Sequence, residues 1–226
     1  MQTFQRYAVY FIPSGALAQR GAAWLGWDIC SGTEVPHPDV PGIDLAGISE
    51  RPRRYGFHGT IKPPFVLAKG TDVAGLDASL DAMCGDIAPV RLDRFEVANL
   101  GPFLTLKPVG DQTALAALAA QVVMQLDPFR APPDEIELAH RRQSPLTPEQ
   151  DQNLQTWGYP YVMDQFRFHL TLTGRVSRAE EPAIRAALIR HFAPYLSDPV
   201  PVNALTLAGQ AADGMFYQIK RYALRG

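Results

Sequence analysis

Apolar positions along the chain first alternate and then recur every third or fourth residue, and these two rhythms divide it into strands and helices. Residues 6–12, Arg-Tyr-Ala-Val-Tyr-Phe-Ile, are β-branched and aromatic and stop at Pro13, which predicts a strand. Ser14 is placed to cap a helix on which Leu17, Gly21, Trp24 and Leu25 share a face. The Pro- and Gly-rich stretch from Gly32 to Pro52 reads as a long irregular loop, a kind of segment often used for function. Strands are predicted near 55–62 and 166–173, each followed by an amphipathic helix. Val73, Leu76, Leu80 and Met83 mark the first helix, and a Ser177/Glu180 capping box precedes Ile184, Leu188 and Phe192 in the second. Paired strands are expected at 90–98 and 103–109 around Asn99-Leu100-Gly101-Pro102, and at 201–208 and 215–223 around Ala212-Asp213-Gly214. A helix at 113–126, with Leu115, Leu118, Val122 and Leu126, follows the first hairpin much as the Ser14 helix follows the first strand.

The pattern repeats in its chemistry as well as its rhythm. Gly56-Phe57-His58-Gly59-Thr60-Ile61 and Arg167-Phe168-His169-Leu170-Thr171-Leu172 are two Phe-His-x-Thr-aliphatic strings, with their histidines 111 residues apart. Val90 follows His58 by 32 residues and Val200 follows His169 by 31, an agreement that unrelated halves would not give. The expectation is a single domain over 1–226 made of two pseudo-symmetric lobes, with matching strand faces turned toward one cleft. Side chains alternate along a strand, so His58, Thr60 and Lys62 are expected on one face and Tyr55, Phe57 and Ile61 on the other. In the second copy Arg167, His169, Thr171 and Thr173 stand opposite Phe166, Phe168, Leu170 and Leu172.

Two imidazoles with hydroxyls two residues on are suited to proton transfer around a phosphate ester. Opening a cyclic phosphodiester needs one group to take a proton from water and another to give one to the departing sugar oxygen. Histidine, titrating near ~6.5, suits both tasks, and one ring is expected neutral and the other protonated near neutral pH. Thr60 and Thr171 would donate hydrogen bonds to the non-bridging oxygens, and Lys62 would add charge at the rim. The substrate-binding candidates are Lys62, Tyr10 on the first strand, Arg141 as a clamp for a second phosphate, and Tyr161, with its neighbour Tyr159, as a stacking surface. Trp24 and Trp27 are read as structural. His37, His140 and His191 lack the repeated pattern, and His191 at a helix end favours the dipole without any catalytic role.

The net charge of -2, with 21 basic residues dispersed among 23 acidic ones, argues against a grip on long nucleic acid, leaving a small anionic phosphodiester or an RNA end as partner. With 46% hydrophobic residues the chain is expected to be globular. No apolar run approaches bilayer length, so no membrane role is expected. Only Cys30 and Cys84 occur, without Cys-x-x-Cys spacing and without a charged, apolar leader, which points to the cytoplasm and reduced thiols. No His-x-His, His-Glu-x-x-His or glycine-rich phosphate loop is present, so neither metal, cofactor nor nucleoside triphosphate is indicated. Oligomeric state is not encoded in any of these features.

Tyr55-Gly-Phe-His-Gly-Thr-Ile-Lys-Pro-Pro-Phe65 and Phe166-Arg-Phe-His-Leu-Thr-Leu-Thr173, with Arg6-Tyr-Ala-Val-Tyr-Phe-Ile-Pro13 and Trp157-Gly-Tyr-Pro-Tyr-Val162, resemble the 2H phosphoesterases, the LigT-like superfamily. The match covers nearly the whole chain and is nearest the branch associated with phosphonate metabolism. The resemblance implies an α+β, duplicated two-lobed fold whose antiparallel sheets form a central cleft with helices outside. It also implies metal-independent opening of a cyclic phosphodiester, with His58, Thr60, His169 and Thr171 as the motif residues and a link to organophosphonate breakdown. Gly59 departs from the Ala expected in this branch. Two rival readings are an RNA-end 2′,3′-cyclic phosphodiesterase or 2′-5′ ligase-like enzyme, and a non-catalytic protein that binds a phosphate metabolite.

Overall fold

A computed structural model describes residues 3–226. In chain order the elements are β1 (Arg6–Phe11), α1 (Gly15–Leu25), β2 (Trp27–Asp28), β3 (Thr33–Glu34), α2 (Leu45–Arg53), β4 (Gly59–Phe65), α3 (Val73–Asp86), β5 (Val90–Leu92), β6 (Arg94–Leu100), β7 (Phe103–Val109) and α4 (Thr113–Gln125). They continue with α5 (Glu135–Arg141), α6 (Pro148–Trp157), β8 (Leu170–Thr171), α7 (Glu181–Phe192), β9 (Val200–Val202), β10 (Ala204–Gln210) and β11 (Phe216–Ala223). The fold is α+β. Seven strands form one antiparallel sheet in the order β11-β10-β1-β4-β8-β7-β6.

The sheet is thinnest near its centre, with four strands on one side of the junction and three on the other. β4 and β8 meet through the single pair Gly59↔Leu170, and these are the residues that follow His58 and His169. Outward from that junction, β1 and β10 on one side answer to β7 and β6 on the other. β8 is flanked by β7, from the hairpin that follows the first motif, while β4 is flanked by β1, on whose far side the hairpin that follows the second motif docks through β10. The expected strands at 90–98 and 201–208 are each interrupted, at Asp93 and Asn203. The freed pieces, β5 and β9, pair with each other antiparallel about Arg91↔Pro201.

One face of the sheet is covered by helices. Leu17, Trp24 and Leu25 of α1, Leu76, Leu80 and Met83 of α3, Leu115, Leu118 and Val122 of α4, and Ile184, Leu188 and Phe192 of α7 share a core with Val9, Phe11, Ile61, Phe168, Leu170 and Leu172. The helical spacing read from the sequence is thus the buried stripe, each large aliphatic contributing about 1.5–3 kcal/mol. A smaller cluster on the other face holds Ala8, Tyr10, Ile12, Trp27, Ile29 and Phe216. The alternation along β1 separates the two: Tyr7, Val9 and Phe11 point to the helices, Ala8 and Tyr10 away from them. Trp24 and Trp27 are both structural, their indole N–H groups donating to Leu172 O at 3.0 Å and Phe216 O at 3.2 Å.

Three expectations require correction. The stretch 32–52 is not all loop, because α2 occupies its end, capped by Asp44 accepting from Gly47 N at 3.0 Å; Pro52 in its last turn disguised it. The strand expected near 55–62 starts only at Gly59, and of 166–173 only Leu170–Thr171 pair as strand. Lys62 does not share the face of His58 and Thr60. Tyr10 pairs with Thr60 but Val9 with Lys62, so a bulge at Ile61 turns Ile61 and Lys62 to the same side. Lys62 is 1% exposed under α4, donating to Val123 O at 3.1 Å, 3.8 Å from Asp127 and over the Phe65 ring. Burial pulls its pKa down to about 8, opposed by Asp127. Since Asp127 keeps Arg130 at 2.8 Å, Lys62→Met is expected to leave stability within ~1 kcal/mol of wild type or raise it. It should also leave catalysis unchanged; thermal melting and steady-state rates check both.

Candidate active site

His58 stands immediately before β4 because Gly56, at φ +69°, turns the chain in a way other residues rarely adopt. The same Gly56 then accepts a hydrogen bond at its carbonyl from His58 Nδ1, at 2.9 Å, and Arg167 O accepts one from His169 Nδ1 at 2.7 Å. A carbonyl only accepts, so each Nδ1 carries the hydrogen and each Nε2 is left with its lone pair. Two rings placed two residues after their anchoring carbonyls are thereby presented alike. Thr60 Oγ1 lies 3.1 Å from His58 Nε2 and donates to it, and Tyr10 stacks on the His58 ring with centroids 3.8 Å apart.

Both histidines and both threonines line one cleft of about 520 Å³, together with Tyr10, Tyr55, Arg141, Tyr159 and Tyr161. Lys62 is not among the lining residues. Tyr55, expected on the core side, is in the cleft, 6.2 Å from the His58 ring, because it lies in the turn before β4 rather than on the strand. Tyr10 is completely buried, and its hydroxyl has no hydrogen-bond partner among the described residues; burial holds its pKa well above the usual phenol value. Arg141 packs its guanidinium 4.8 Å over the Tyr159 ring, and Tyr161 stands edge-on to Tyr159 at the exposed rim.

The electrostatics differ from the expected mixed pair of protonation states. Burial lowers the His58 pKa to about 4, with the nearby His169 adding to the shift and the Gly56 hydrogen bond opposing it. Burial also lowers that of His169, opposed by its hydrogen bond to Arg167 O. Without ligand, both rings are neutral at neutral pH. A phosphodiester anion between them would favour the protonated form of one.

Sequence reasoning missed Arg6 and Arg51, which also line the cleft, and gave Arg167 a face but no role. Arg6 and Tyr10 are four apart on β1 and so share a side, a signal that period-two reading carries. Arg51 sits on the unrecognised α2. No group of three or more His, Cys, Asp or Glu able to hold a metal ion occurs among the described residues, and the cleft lining contains no carboxylate.

Paired His-x-Thr motifs meeting at the centre of an antiparallel, helix-backed α+β sheet define a 2H phosphoesterase-type fold. A structure of TT0787 from Thermus thermophilus superposes with TM-score 0.50 at 13% identity, over 98% of each chain. A structure of Escherichia coli LigT complexed with 3′-AMP gives TM-score 0.48 at 14% identity, over 99% of this chain and 100% of that one. Within that class, residues 60–218 match the family described as "Protein of unknown function (DUF1045)", and the chain belongs to it. A curated relative from Janthinobacterium sp. (strain Marseille), named ribose 1,5-bisphosphate phosphokinase PhnN, is 37% identical over 222 residues. That alignment takes in 94% of this chain and 49% of the relative, so the chain spans about half the relative's length.

Proposed function

We propose that the protein hydrolyses a small cyclic phosphodiester by two-histidine acid–base catalysis, without a metal ion. The observation that carries this reading is the pair of imidazoles, each anchored through Nδ1 to the carbonyl two residues before it, lining one cleft with Thr60 and Thr171. His58, the more firmly neutral ring, takes a proton from water through Nε2 as the water oxygen bonds to phosphorus. The phosphorus–oxygen bond to one sugar oxygen breaks, and His169, protonated in the presence of the anion, donates to that oxygen. The product is a phosphate monoester beside a free hydroxyl. In this reading the Thr171 hydroxyl, and that of Thr60 once substrate draws it from His58 Nε2, donate to the non-bridging oxygens as charge gathers there.

The setting is sugar-phosphate chemistry linked to phosphonate breakdown, supported by the relative's name. The kinase activity in that name is not carried over, because this chain has no glycine-rich loop closing on Gly-Lys-Ser or Gly-Lys-Thr to cradle a triphosphate. Near-neutral charge favours a small molecule over an RNA end. The two cysteines are both free, in keeping with a cytoplasmic site of action, and no helix among the described residues is long and apolar enough to cross a membrane.

The test is a pH profile on a panel of small cyclic phosphodiesters and oligonucleotide ends, with and without chelator. The base must be neutral, so kcat/KM falls as pH drops through about 4; the acid must be protonated, so it falls again as pH rises through the His169 pKa, below 6.5. The optimum of kcat/KM is expected between those limits, with kcat displaced upward by the bound anion, and chelator without effect. A profile still rising above about pH 8, or loss of activity with chelator, would sink the mechanism.

A further inference from the structure

We infer that the substrate carries a second anionic group, a phosphate monoester, held by Arg6 and Arg141 beside Tyr10. The inference rests on the phosphodiesterase reading and narrows its substrate to small cyclic phosphodiesters that are themselves phosphorylated. Four arginines, Arg6, Arg51, Arg141 and Arg167, line a cleft that no Asp or Glu among the described residues lines, in a chain whose net charge is -2. Arg6, Arg51 and Arg167 join no ion pair among the described residues, and Arg141 reaches only Glu137, at 3.4 Å on the same short helix. One phosphodiester brings a single negative charge, which leaves most of this cluster unbalanced. A dianion in addition would balance it.

Two of the four are built in rather than merely exposed. Arg6 is part-buried, and its Nε donates to the neutral Gln210 side chain at 2.7 Å, which fixes the fork while leaving both terminal nitrogens unspent among the described residues. Arg141 is laid over Tyr159, and its Nε is buried without a hydrogen-bond partner among the described residues. The Tyr10 hydroxyl is likewise buried and without a hydrogen-bond partner among the described residues. Arg6, Tyr10, Tyr159 and Arg141 thus line one cleft with the reaction centre, where the Tyr10 ring packs tilted against His58 with centroids 3.8 Å apart. Arg51 and Arg167 are exposed and serve general attraction of the anion.

The test compares ribose 2,3-cyclic phosphate with its 5-phosphorylated counterpart. Wild type is expected to favour the phosphorylated compound in kcat/KM by ~30-fold or more, and R6Q and R141Q each to cut that ratio about tenfold. A ratio near unity in wild type, with both compounds hydrolysed, overturns the second anion and leaves phosphodiester cleavage standing. A ratio unchanged in both variants overturns the assignment to these arginines. Calorimetric titration of the same pair into H58A reads the second anion without turnover and without altering either arginine. Binding about tenfold tighter for the phosphorylated compound supports the inference even where neither is hydrolysed by wild type, a result that would count against the catalytic reading alone. Equal affinity, or no binding of either compound, overturns it.

Discussion

Alanine in place of His58 or His169 is expected to lower kcat by about 10²- to 10⁴-fold, with the double variant little worse than the more impaired single one. In the proposed mechanism the two rings serve one transition state, so removing either would strand the other. Single-turnover rates on a cyclic phosphodiester, with circular dichroism to confirm folding, measure the effect. Because substrate contacts elsewhere in the cleft remain, affinity for an uncleaved analogue should change far less than turnover. A wild-type rate that survives both replacements would end the assignment of catalysis to these rings and favour a protein that only binds.

The second large effect is on stability. Gly59 leaves the strand without a side chain where β4 and β8 make their only pair, and a Cβ there would overlap the Phe168 ring. Gly59→Val is expected to cost about 1–3 kcal/mol, or several degrees in Tm, because Phe168 is itself 2% exposed and has no open space to retreat into. Activity should fall with it, since His58 and Thr60 flank the substituted position. Thermal unfolding followed alongside kcat/KM separates the two losses, and a Tm equal to wild type would mean that the ring yields without strain. The glycine that departs from its branch is thus matched to a partner ring rather than neutral.

Much of this was legible in the chain. Helices α1, α3, α4 and α7 were found because their buried stripes repeat at helical spacing, and the two motifs were found because histidine and threonine recur in register. What escaped detection depended on geometry that no periodicity encodes. One extra residue at Ile61 sent Lys62 under α4 instead of into the cleft. The turn at Gly56 brought Tyr55 to the opposite side from the one alternation assigns. α5 buries no residue and α6 only Gln150, Asn153 and Leu154, so neither shows an apolar stripe, yet α5 delivers Arg141. The depressed pKa of both rings follows from tertiary burial, which a sequence cannot express residue by residue.

The crossing of hairpins between the two ends of the sheet decides how this site comes into being. Until β7 docks against β8 the His169 segment lies at an unfinished border, and until β10 docks against β1 so does the strand beside β4, so neither half of the polypeptide completes its side of the sheet alone. Folding must bring remote stretches together before the reward arrives, which makes it slow for the chain length and all-or-none in character. The two imidazoles therefore share one cleft only in molecules that have completed the whole sheet.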